Sequence, residues 1–166
     1  MKKSIIIFII LLAGIGFCLA ADPVEGYWFS LNEKTGKPSA GWEIYAENNR
    51  LYGKILSIAG YPQDLKAIRC RDSYPGFPLS GKVNQMLVLG PPWIYGLSME
   101  RAGQWSGGSI IDSESGNIYK CKIIFHAADG KKYKTDTLEM RGEIGLGLGR
   151  SMFWPKASRE EALSLR

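Results

Sequence analysis

Arg141-Gly142-Glu143-Ile144-Gly145-Leu146-Gly147-Leu148-Gly149-Arg150-Ser151-Met152-Phe153-Trp154 is the stretch that decides how this chain reads. It leaves one alternating segment, bends through closely spaced glycines and enters a second alternating segment. Glycine adopts the positive φ of such bends without steric penalty, so the stretch reads as two strands and their turn. A terminal strand leaves a row of unpaired backbone groups unless it meets the first strand, and only closure removes the edges of a sheet. Gly26-Tyr27-Trp28 is a short segment near the start that can meet it. The chain therefore reads as one sheet that begins at Trp28 and closes through Arg150.

Working outward, the second half alternates cleanly. Strands are expected over 104–112, 117–126, 131–141 and 148–154, separated by Ser113-Glu114-Ser115-Gly116 and Ala127-Ala128-Asp129-Gly130. Such clusters are turn-formers, and the spacing gives an antiparallel meander. The first half offers strands at 24–31, 40–46, 50–58 and 83–89. Glu47-Asn48-Asn49 forms a tight hairpin turn because Asn tolerates positive φ. Residues 59–82 hold prolines, glycines and charges with no period. They read as a long loop with one helical turn at 65–69 that could cover an open barrel end. Gly90-Pro91-Pro92-Trp93 interrupts the pattern, and the segment up to Gly103 is ambiguous. The fold expectation is all-β: an antiparallel up-and-down barrel of about eight strands, a count that either fills itself with side chains or holds one small ligand. The barrel domain spans 21–154. The tail 155–166 contains Ser158-Arg159-Glu160-Glu161, which suits the start of a short helix.

The first twenty residues stand apart. Met1-Lys2-Lys3 is a basic head, an apolar core follows, and Cys18-Leu19-Ala20 has the small-x-small pattern of a cleavage site. This is the pattern of a secretory signal peptide, too short to span a bilayer well. A retained anchor or a lipidated Cys18 fits less well, the latter because Phe17 precedes it. The expectation is export to the periplasm or the exterior, with no transmembrane span after cleavage. Removing Lys2 and Lys3 lowers the formal charge from +5 to +3, and the remaining charges are mixed in sign, which speaks against a nucleic-acid partner. Cleavage leaves Cys70 and Cys121. Either they pair, closing a loop of about fifty residues worth roughly 4 kcal/mol in the chain-entropy model, or Cys121 is a core thiol and Cys70 a free loop thiol.

Gly26-x-Trp28 resembles the first-strand motif of lipocalin-like barrels, in which a basic residue near the end of the last strand covers the tryptophan. The resemblance gives that role to Arg150, a cation over an indole face. With Gly26 and Trp154, these residues form the expected structural closure. More of the chain resembles the exported bacterial family known as domain of unknown function 2147. The resemblance rests on Asp22-Pro23-Val24-Glu25-Gly26-Tyr27-Trp28, on Leu51-Tyr52-Gly53-Lys54-Ile55, on Trp105-Ser106-Gly107-Gly108-Ser109-Ile110-Ile111-Asp112 with Gly116 and Tyr119, and on Leu138-Glu139-Met140-Arg141-Gly142-Glu143-Ile144-Gly145 with Trp154. It implies a small exported β-barrel and brings no activity with it. Two departures stand out: Tyr52 and Ser80 replace cysteines frequent in relatives, and Ile111-Asp112-Ser113 replaces a Tyr-Asp-Pro hairpin.

Catalytic patterns are weak. His126 is the only histidine, so any histidine-based triad must use it. One histidine and two distant cysteines make no metal-ligand spacing. Asp112 and Glu114 flank a turn, where carboxylates cap backbone. Gly145-x-Gly147-x-Gly149 lacks the helix and Lys-Ser/Thr of a phosphate loop. No catalytic residue, cofactor or metal is expected. The aromatics suggest binding instead. Trp42, Tyr45, Tyr119 and Phe125 are the candidate lining of a barrel pocket, and Arg69 and Arg71 on the long loop are candidates to meet an acidic headgroup. The expected function is non-catalytic binding of a small apolar or amphipathic molecule. The alternative is a filled barrel that docks an envelope protein through its surface.

Overall fold

The computed structural model describes residues 21–145 and 147–165, so the expected signal segment lies outside the described residues. Eight antiparallel strands follow one another around a closed barrel: β1 (Gly26–Leu31), β2 (Pro38–Glu47), β3 (Arg50–Ile58), β4 (Pro92–Arg101), β5 (Gln104–Ile111), β6 (Ile118–His126), β7 (Thr137–Gly145) and β8 (Leu148–Ala157). An α-helix, α1 (Arg159–Ser164), comes last. The inward-facing residues follow from period-two alternation. Leu51, Gly53 and Ile55 of β3 share one face with Ile44 and Trp42 of β2, while Ile123, Leu138, Met140 and Trp154 carry it across β6 to β8.

Closure differs in detail from the expectation. β1 and β8 pair only at Tyr27↔Ala157 and Trp28↔Lys156, so the barrel closes through Lys156 and Ala157 rather than Arg150. The next residue of β8 toward the other end is Pro155, which has no N–H to extend a ladder. The cation over the indole of Trp28 is Lys156, its Nζ 4.1 Å from the ring centroid, and the same ammonium donates to the carbonyl of Glu25 at 3.1 Å. Gly26 explains the glycine of the motif. Its φ is +126°, and a Cβ there would stand 2.7 Å from that Nζ. Burial pulls the ammonium below the ordinary lysine value, an effect Asp136 partly offsets.

This end of the barrel is stoppered by the chain start. The Trp28 indole donates to Val24 at 2.9 Å, and Asp22 accepts from the Trp105 indole and from the Gly103 amide at 3.2 and 3.0 Å. On the outer wall, α1 lies over β2 and β3. Ser158 and Glu161 form a capping box, and the Ser57 hydroxyl donates to the Ala162 carbonyl at 2.7 Å. Gly41 must lack a side chain, since a Cβ would come within 1.9 Å of that carbonyl oxygen.

The Asn48-Asn49 hairpin has both residues at positive φ, 50° and 59°, as a twist-matched two-residue turn requires. Three local expectations fail. Residues 83–89 are not a strand: Val83–Gln85 is a 3-10 turn, and the fourth strand is the ambiguous segment Pro92–Arg101. No helical turn forms at 65–69, where Lys66 instead bridges to Leu87. The seventh strand starts at Thr137 because the Asp129 carboxylate accepts from the amides of Lys131 and Tyr133 and curls the preceding segment into a turn.

The long loop does not cap the barrel. It packs on the outside of β4, where Phe77 meets Trp93 and Tyr95 with ring centroids 6.1 and 5.5 Å apart. The Trp93 indole donates to Val88 at 2.6 Å and the Tyr95 hydroxyl to Pro75 at 3.1 Å. A further anchor is the β5–β6 turn: the Tyr74 hydroxyl donates to the Gly116 carbonyl at 2.7 Å, and a Cβ on Gly116 would lie 2.2 Å from the Arg69 carbonyl oxygen.

Candidate functional site

Opposite the stoppered end the barrel is hollow. A cavity of about 550 Å3 opens between the β1–β2 loop, the β5–β6 turn and the upper parts of β7 and β8. Its wall is apolar: Trp42, Ile55, Ile110, Tyr119, Met140, Met152 and Trp154, one or two from each of six strands. These are the inward positions of alternating strands, so the register that closes the barrel also builds the wall. Trp42 and Trp154 pack together with ring centroids 4.9 Å apart. A second hollow of about 460 Å3 shares Ser30, Ser39, Ile55 and Asp112 to Glu114 with the first and runs toward Ile58, Leu65 and Val88.

Polar groups gather at the mouth. The Trp42 indole donates to the Ser30 hydroxyl at 3.2 Å, and that hydroxyl stands 3.0 Å from the one of Ser39. Arg150 occupies an inward register position opposite Gly142, but its side chain reaches out to Glu33 on the β1–β2 loop at 2.5 Å. This ion pair ties β8 to the loop after β1, above the point where their ladder has ended. Asp112 is used locally, accepting from the Glu114 amide at 2.9 Å and the Ser115 hydroxyl at 2.6 Å. The Tyr61 hydroxyl reaches Glu114 at 3.4 Å.

The five tryptophans separate the site from the scaffold. Trp28, Trp42, Trp93 and Trp105 each donate the indole N–H to a named acceptor. The indole nitrogen of Trp154 is buried and has no partner among the described residues, and the residue stands on the cavity wall. A buried donor left unpaired costs roughly 1–3 kcal/mol.

Residues 26–156 match a family described as uncharacterized proteins conserved in bacteria, DUF2147. The chain belongs to that family. A solved structure similar to this DUF2147 member is a Helicobacter pylori protein described as belonging to the lipocalin family. The TM-score is 0.63 at 15% identity, over 82% of this chain and 84% of that one. At that identity the likeness concerns the fold. No curated protein matches the chain.

The DUF2147 barrel sorts the candidates named from sequence. Trp42 and Tyr119 stand on the cavity wall, together with Trp154, which was expected only to close the barrel. Tyr45 does not: it faces outward, stacked on Tyr52 at 5.7 Å with the Lys54 ammonium 5.3 Å from its ring. Phe125 lies at the stoppered end, edge-on to Trp28 at 6.3 Å. Arg69 and Arg71 are exposed outside the cavity lining, with Arg71 over the ring of Tyr74 at 5.9 Å. Of the two alternatives for Cys70 and Cys121 the structure agrees with the unpaired one: both are free, Cys121 in the core and Cys70 on the long loop, where it too is buried. Burial pushes both thiols up, and the Cys121 thiol lies 3.3 Å from the Met140 sulfur. Ser30, Ile55, Ile110, Met140 and Met152 were missed as lining. Parity was the available signal: Met140 follows Leu138 and Met152 precedes Trp154 at the same two-residue step.

His126 sits on the outer wall. Its Nε2 is 3.0 Å from one oxygen of Glu139, and the Ser151 hydroxyl donates to the other at 2.6 Å. The carboxylate lies between imidazole and hydroxyl, so the histidine does not contact the serine as a base must. The hydrogen bond from Ser151, aided by His126, holds the Glu139 carboxyl below its ordinary value despite partial burial. Among the described residues no cluster of three or more His, Cys, Asp or Glu side chains could hold a metal, and no helix is long and apolar enough to cross a membrane.

Proposed function

We propose that this protein is a non-catalytic binder of a small apolar or amphipathic molecule, exported to the periplasm or the exterior and holding its ligand inside the barrel. The observation that carries the reading is a cavity of about 550 Å3 walled by Trp42, Tyr119, Met140, Met152 and Trp154, within the usual ~300–1,000 Å3 range of ligand pockets. The apolar wall suits a hydrocarbon or aromatic body. Ser30 and Ser39 offer a ligand polar partners near the mouth. A hollow of this size speaks against a barrel filled by its own side chains.

N-phenyl-1-naphthylamine, whose fluorescence rises in apolar surroundings, tests this directly. The expected result is saturable enhancement that Met152→Trp abolishes by filling the cavity, while Met99→Trp, on the exposed wall, leaves it intact. Absence of saturable binding, or binding indifferent to Met152→Trp, would overturn the reading.

A further inference from the structure

We infer that the mouth end of the barrel docks on an anionic lipid bilayer, which would make the bilayer the source or destination of the ligand. This deepens the cavity-binding reading and rests on it for the cargo, though the docking surface stands on separate residues. The β7–β8 hairpin, which rises from the cavity wall at Gly142 and Arg150, carries Ile144 and Leu148 at 73% and 63% exposure. Ile68 is 74% exposed beside the β5–β6 turn that forms another part of the mouth, and Tyr61 is 52% exposed where it reaches Glu114 on that turn. Exposed large apolar side chains at the tips of loops around one opening have no use in water, and they match what interfacial insertion needs.

Charge selects the occupant. Lys34 and Lys37 on the β1–β2 loop and Lys66, Arg69 and Arg71 on the long loop are exposed and make no ion pair among the described residues. Three acidic groups near them are neutralised in ion pairs, Glu33 with Arg150, Asp72 with Lys82 and Glu143 with Arg141. Asp64, Asp112 and Glu114 make no ion pair among the described residues, three carboxylates against five cations. The rim thus combines apolar tips with an excess of free cations, the combination that an anionic lipid surface attracts. The stoppered end also carries exposed lysines without an ion pair among the described residues, Lys131, Lys132 and Lys134, but its loops hold no large apolar side chain as exposed as Ile144, Leu148 or Ile68, so the apolar tips distinguish the mouth. Docked mouth-down, the cavity opens onto the bilayer, and an amphiphile passes between the two without crossing bulk water.

Co-sedimentation of the protein, purified from its host, with phosphatidylglycerol-containing vesicles and with pure phosphatidylcholine vesicles tests the inference. Binding to the anionic vesicles that weakens with added salt is expected, with little on the neutral ones. A basic residue near an anionic surface contributes about fivefold, so Arg69→Ala with Arg71→Ala lowers the partition constant about 30-fold. Ile144→Ser with Leu148→Ser lowers it by about tenfold or more. Both double variants keep the wild-type melting temperature and still bind N-phenyl-1-naphthylamine, which separates docking from cargo binding. Equal sedimentation with neutral and anionic vesicles, or double variants that bind like wild type, would overturn the docking. Vesicle binding by a protein that fails to take up the naphthylamine would leave the docking surface standing and remove the cavity reading.

Discussion

Two tryptophans that differ in one hydrogen bond give the sharpest test of the cavity's chemistry. Trp93 and Trp154 are both buried, and each becomes phenylalanine with the same loss of volume, so the cavity penalty is common to both to first order. The Trp93 N–H donates to Val88 at 2.6 Å, and its removal leaves a buried carbonyl unpaired, which costs roughly 1–3 kcal/mol. The Trp154 N–H has no partner, and its removal relieves a penalty of similar size, again about 1–3 kcal/mol. Trp154→Phe is therefore expected to be more stable than Trp93→Phe by about 2–6 kcal/mol. Urea unfolding followed by far-UV circular dichroism measures this, on protein extracted with organic solvent and with the slopes checked for equality. If the two variants lie within about 1 kcal/mol of each other, the Trp154 donor is satisfied after all.

Other outcomes follow from the scaffold. Glu139 binds its proton less tightly in the folded chain than in the unfolded one, so its contribution to stability is full above the ordinary carboxylate range and is lost as pH falls through the depressed folded value. Ser151→Ala removes the main cause of the depression and is expected to flatten the acid limb of the stability profile; superimposable profiles would refute the assignment. Ellman titration in denaturant without reductant is expected to find two thiols in the chain after Ala20, and almost none in the native protein because both are buried. A count of zero in denaturant would mean that Cys70 and Cys121 are joined. Lys156→Met is expected to destabilise by about 0.5–2 kcal/mol through loss of the cation over Trp28, whereas Arg150→Met, at an exposed ion pair, changes stability by less than about 1 kcal/mol. Equal losses would restore the closing role to Arg150.

Much of the barrel was legible in the chain because its signals are local. Alternation and turn residues marked β2, β3, β5 and β6 to within two residues at each end, and two consecutive asparagines specified their hairpin. Reading failed where tertiary contacts override the period. Trp93, Ile94 and Tyr95 are buried in succession because the long loop covers the outer face of β4, so the alternation that marks a half-exposed strand is absent. The last strand was expected to end at Trp154, yet Pro155 lies within β8, because the side that lacks the N–H faces the seam with β1, where no ladder needs it. Ending β8 too early hid Lys156 and promoted Arg150 in its place. The site was half visible. Trp42 and Tyr119 lie on strands with clear parity. The vacancy at Trp154 depends on what fails to approach it in three dimensions, and no sequence pattern records that.

The most direct measurement compares the indole 1H–15N resonances of the isotope-labelled protein as isolated from its host compartment and again after organic extraction. If the barrel carries an amphiphile, the Trp154 resonance moves on extraction while those of Trp93 and Trp105, bonded elsewhere, stay in place, and the extract holds a stoichiometric small molecule. Superimposable indole spectra together with an empty extract would contradict the account.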